Sequence, residues 1–82
     1  MNLIAQQVRA ARGLLGWSQG ELAARTRLSV RTIKRVEAGE ELTPAADLSI
    51  RRTLEAEGVA FFATTEELAG KHFVGGVALL RA

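Results

Sequence analysis

The chain has 82 residues, 48% of them hydrophobic and 24% charged, with a formal net charge of +2 and no cysteine. That length makes one domain, near the lower limit of what a single core stabilises, so self-association would be a natural supplement. Disulfides and thiolate metal sites are excluded by composition, no run of roughly 18 apolar residues could cross a bilayer, and the secretion pattern of a basic stretch followed by an apolar one is missing, so a cytoplasmic protein is expected.

The first expected helix covers Leu3 to Leu15, where Ile4, Val8, Ala11 and Leu15 form an apolar stripe at helical spacing and Gln6, Gln7, Arg9 and Arg12 fall off it. Gly16 is placed to stop it. Ser18 and Glu21 then make an S-x-x-E capping box, with Trp17 before the cap and Leu22 four residues after it as a hydrophobic staple. This second helix runs to about Thr26. A short break at Arg27-Leu28 leads to Ser29, the next cap, with Leu28 able to staple onto Ile33; the third helix continues through Val36 and Glu37 to Gly39. Two capped starts eleven residues apart leave only a three- or four-residue turn, the spacing of a helix-turn-helix. Thr43-Pro44 is an N-cap followed by proline at the first helical position, opening a fourth helix to about Glu57 with Ile50, Leu54 and Leu48 as core residues and Gly58 as its stop.

The period then changes. Val59 to Ala63 reads as a short strand and Phe73 to Leu80 as another, interrupted at Gly75-Gly76, with one helical turn between them at Thr65 to Ala69 on a second capping box, Thr64 to Glu67. The expected architecture is mainly α: four helices over 1–58, then a C-terminal two-stranded β extension over 59–82. The helix-turn-helix occupies about 18–38 and its reading helix about 30–38.

Charge is divided unevenly along this order. Residues 1–35 hold seven cations against Glu21 alone, a balance of +6, whereas residues 36–82 carry −4. A polyanion would dock on the first half.

From Trp17 to Gly39 the chain resembles the Cro/repressor-type (XRE-like) helix-turn-helix family of transcriptional regulators. The resemblance is carried by Ser18-Gln19, Glu21-Leu22-Ala23, Leu28-Ser29, Thr32-Ile33 and Val36-Glu37-Ala38-Gly39, and extends back to Arg9, covering about residues 4 to 58. Leu54 to Phe61 and Gly76 to Leu79 are similar to the tail of a subgroup of small regulators. The resemblance implies that Gln19 anchors to DNA backbone, that Val30, Arg31 and Arg35 face the major groove, that Thr32 and Lys34 lie close to phosphates or flanking bases, and that Arg12 and Glu37 form a buried ion pair. Two departures stand out. Arg27 occupies a turn position where the family often has glycine, which implies altered geometry or strain, and Ala38 replaces a polar residue that contacts the DNA backbone.

These residue types suit duplex DNA. Arginine forks onto guanine O6 and N7, Val30 can meet a thymine methyl, and the capped helix starts at Ser18 and Ser29 aim free N–H groups at phosphates. Catalysis has no support: His72 lacks companion ligands, Glu66 and Glu67 read as capping and solvated residues, and Gly75-Gly76 lies outside any strand-to-helix phosphate loop. No cofactor, metal or small-molecule ligand is expected. The expected partners are a double-stranded DNA operator and a second copy of the chain. Phe61, Phe62, Val77 and Leu79 offer apolar strand surface that either lies on the chain's own fourth helix or pairs across a two-fold axis, and the second is the expectation, since a palindromic operator requires a dimer. Two other readings remain open: an antitoxin- or controller-type protein that binds its own promoter and a partner protein, and a protein-interaction module that reuses the fold.

Overall fold

A computed structural model of the chain describes residues 3–62, 66–68, 71–73 and 76–80, with the backbone alone for 62, 66–68 and 71–73. Four helices come first: α1 (Ala5–Leu15), α2 (Gln19–Thr26), α3 (Val30–Glu37) and α4 (Pro44–Ala56). Their starts are fixed as the cap residues dictate. Ser18 Oγ accepts from the Glu21 N–H at 3.0 Å, Ser29 Oγ from the Thr32 N–H at 3.0 Å, and Thr43 Oγ1 from the Ala46 N–H at 3.1 Å, each satisfying a donor the helix leaves unpaired. The Glu21 carboxylate does not reach back to Ser18; it receives Arg25 at 3.2 Å instead.

The helix ends share a device. At α1 the Trp17 N–H bonds the Arg12 carbonyl and the Gly16 N–H the Gly13 carbonyl, with Gly16 left-handed at φ 71. At α2 the Leu28 N–H reaches the Ala23 carbonyl, but the left-handed residue is Arg27, the one non-glycine with positive φ (62) among the described residues. The departure from glycine is therefore met by accepting strain rather than by changing the turn.

The core is built from one stripe of each helix: Val8 and Ala11 from α1, Leu22 and Ala23 from α2, Ile33 and Val36 from α3, Ile50 and Leu54 from α4, closed by Leu3 and Val59. Trp17 and Leu28, the two staples, pack partly buried against it. Leu48 is not part of this core; it is 46% exposed. The inward face of α4 is set by Ala46, Asp47, Ile50 and Leu54, and at 100° per residue position 48 lies on the far side from Ile50. Gln7 departs in the other direction. Expected off the stripe, it is 2% exposed, its Oε1 accepting from the Ile4 N–H at 3.1 Å and its Nε2 donating to the Gly76 carbonyl at 3.2 Å.

The expected two-stranded extension is present, and among the described residues a second, shorter strand pair accompanies it. β1 (Val59–Phe62) pairs antiparallel with β4 (Gly76–Leu79), and nested inside them β2 (Glu66–Leu68) pairs with β3 (Lys71–Phe73). Glu66 to Leu68 is thus strand rather than a helical turn, and its partner is Lys71–Phe73. The proposed cap at Thr64 lies outside the described residues. Phe73 belongs to β3, opposite Glu66. The outer pair lies on α1 and α4, with Val59 3% exposed and Phe61, Val77 and Leu79 half-buried against the chain's own core.

Candidate nucleic-acid interface

Helix α3 is sharply two-faced. Ile33, Val36 and Glu37 are buried, while Val30 (41% exposed), Arg31, Lys34 and Arg35 face solvent. Positions 30, 31, 34 and 35 share that outer side because residues three and four apart stack on one helix face. Thr32 is half-buried beside its cap, with Thr32 Oγ1 2.9 Å from Ser29 Oγ. Ser18 and Ser29 are both exposed, so the α2 and α3 starts are open at the surface.

Behind this face, one buried carboxylate ties three helices together. Glu37 is 4% exposed. Its Oε2 accepts from Arg12 Nε at 2.8 Å, and its Oε1 from Arg12 Nη2 at 2.9 Å and from Gln19 Nε2 at 3.1 Å. Arg12 also donates to the Trp17 carbonyl at 2.9 Å, and Arg9 Nη1 donates to the Glu37 carbonyl at 2.6 Å. Burial pushes the Glu37 carboxyl up, but the hydrogen bonds from Arg12 and Gln19 and the charges of Arg12 and Arg9 outweigh it, so its pKa lies below the usual carboxylate value. The Arg12 guanidinium is correspondingly raised by its hydrogen bond to Glu37. Gln19 and Arg12, expected in separate roles, therefore meet on one acceptor. One Gln19 amide hydrogen is used inward, and the amide retains a second.

The basic balance of residues 1–35 is partly cancelled in space. Arg12 is matched by Glu37; Arg25 lies 3.2 Å from Glu21, 3.4 Å from Glu57 and 4.3 Å from the Trp17 ring centre; Arg35 lies 3.0 Å from Glu40. Arg31 and Lys34 keep no hydrogen-bonded or ion-paired partner among the described residues. Glu37, Glu40 and Glu57 belong to the acidic half by sequence, yet the fold pairs them with Arg12, Arg35 and Arg25 of the basic half. The Arg35–Glu40 contact was not anticipated, and the Gly39 helix stop was the available signal for it.

A helix-turn-helix family model of the Cro/C1 (XRE) type matches residues 8–51. The chain belongs to that family. It is a family of DNA-binding regulators, and the match takes in α2, α3 and the turn between them. No curated protein matches the chain. No helix among the described residues is long and apolar enough to cross a membrane. Of the tail residues expected at a dimer interface, Phe61, Val77 and Leu79 already pack in part on their own chain, and the Phe62 side chain lies outside the described residues.

Proposed function

We propose that this helix-turn-helix regulator is sequence-specific, reading base edges in the major groove with Val30, Arg31 and Arg35 and gripping phosphates through Ser18, Gln19, Ser29, Thr32 and Lys34. The observation that carries the reading is the exposed Val30-Arg31-Lys34-Arg35 face of α3, set beside two open capped helix starts and braced from behind by the buried Glu37. Arginine at such positions forks onto guanine, and N–H groups at helix starts take phosphate oxygens. A second copy of the chain completes the proposal. One reading helix spans too few base pairs to find a site among a genome's competitors, so two copies on a palindromic operator follow. The exposed Leu80, the half-buried Phe61, Val77 and Leu79, and Phe62 on the same ribbon support an interface at the tail.

The test begins with selection of a preferred duplex from a random pool, followed by titration of that duplex and a scrambled one at two salt concentrations. Affinity should fall steeply with salt as counterions are released. Arg31→Ala and Arg35→Ala should each lose roughly tenfold to a hundredfold on the selected duplex and relax base preference, while Lys34→Ala weakens all sequences evenly. Absence of duplex binding at low salt, or equal loss on both duplexes for the arginine variants, refutes the assignment.

A further inference from the structure

The end of α3 is closed by two backbone hydrogen bonds. The Gly39 N–H reaches the Val36 carbonyl at 3.0 Å and the Glu40 N–H reaches the Arg35 carbonyl at 3.1 Å. Gly39 adopts φ 95 to allow this, the left-handed geometry that glycine alone takes without penalty. The consequence is that the chain folds back over Arg35, the residue whose carbonyl it caps. The side chains then meet as well: Arg35 Nε and Nη2 each lie 3.0 Å from Glu40 Oε1.

Both contacts use the same edge of the guanidinium. A planar guanidinium carries five N–H donors, and with the Nε/Nη2 edge engaged the outer Nη1/Nη2 edge still presents two parallel donors. That pair matches the O6 and N7 acceptors of guanine. We propose that Glu40 is a positioning residue for base reading: it holds Arg35 by one edge so that the other is presented as a ready fork for guanine. The inference rests on the reading of Arg35 as a base contact.

Two features favour positioning over simple neutralisation. Glu40 is attached to Arg35 through its backbone as well as its carboxylate, so the acceptor's place is set by the helix stop rather than by two freely moving side chains. Arg31, the other reading arginine, also acts electrostatically on Glu40, as a smaller influence than Arg35. A free arginine loses considerable rotamer freedom on docking, and prior fixation reduces that loss. The pair is open to water in the free protein, 60% and 51% exposed, where such contacts are weak; a groove that excludes water strengthens them.

The experiment uses the full chain and the selected duplex with each base substituted in turn. Arg35→Ala first locates the base pair at which preference is lost. Glu40→Gln, which keeps the shape and removes the charge, is then compared with wild type at that pair and on scrambled DNA, with thermal melts as the folding control. The expected result is a roughly fivefold or greater loss of guanine preference, with scrambled-DNA affinity unchanged or raised by removal of a negative charge. If Glu40→Gln raises affinity for every duplex alike and guanine preference stays intact, Glu40 only competes with phosphate and the proposal is overturned. If Arg35→Ala itself leaves preference unaltered at every pair, the base-reading assignment has failed and takes the proposal with it.

Discussion

Replacing Glu37 by Gln probes the joint by which α3 is held to α1 and α2. Each carboxylate oxygen faces donors: Oε2 takes Arg12 Nε, and Oε1 takes both Arg12 Nη2 and Gln19 Nε2. An amide must turn its NH2 toward one of these groups, setting donor against donor and leaving the Arg12 charge without a counterion. Removing one partner of a buried pair costs about 3–5 kcal/mol; the Arg12 side chain is 21% exposed and keeps the Trp17 carbonyl, which reduces the expected loss to about 2–4 kcal/mol. For a domain of this size that corresponds to roughly 10–25 °C in Tm. The effect has a definite pH signature. Glu37's folded pKa is depressed, so its stabilisation is fully present above the unfolded carboxylate value of about 4.3 and is lost as pH falls toward the folded value. Urea unfolding of both proteins at neutral pH and below about pH 4 should show the wider gap at neutral pH, narrowing only once the unfolded carboxylate value is passed. Equal stabilities at neutral pH, or a gap that grows in acid, would refute the assignment of Glu37 as an ionised, buried brace.

The strain at Arg27 makes the opposite prediction: Arg27→Gly should raise stability by about 0.5–1 kcal/mol, since relief of roughly 1–2 kcal/mol of left-handed strain exceeds glycine's greater freedom in the unfolded chain. A chemical denaturation midpoint that falls would show the turn to be unstrained. The full chain should sediment as a dimer at tens of micromolar, and a species that stays monomeric at high micromolar concentration would remove the paired-operator part of the proposal.

Much of the fold is legible because its signals are local. Ser18, Ser29 and Thr43 cap from their own side chains, and the stops at Gly16, Gly39 and Gly58 are all left-handed glycines, so helix boundaries follow from short stretches of sequence. What escaped depends on distant partners or competing local patterns. Gln7 looks like a surface residue until the tail brings the Gly76 carbonyl to it. Leu48 looks apolar enough for a core whose α4 face is already supplied by Ala46, Ile50 and Leu54. Thr64 and Glu67 imitate a helix start, but Glu66 to Leu68 has a strand partner in Lys71 to Phe73, and pairing overrides a weak cap in so short a segment. At the interface, the outward face of α3 was readable from periodicity. The Arg35–Glu40 contact was not, because it crosses the helix end where periodicity stops.

The bond from Gln7 to the Gly76 carbonyl joins residues 69 apart in sequence, and this bears on the order in which the protein assembles. The contacts of α2 with α3 are local and can form while the chain is still short. Those of α1 with β4 require closure of a long loop, whose entropy must be lost before any contact compensates it. During synthesis the helices can therefore gather before Gly76 exists, with α1 still lacking the strand that covers its flank. The side of α1 that β4 will occupy stays open throughout that interval, so the slow step in maturation is expected to be the seating of the ribbon rather than the making of the helix-turn-helix.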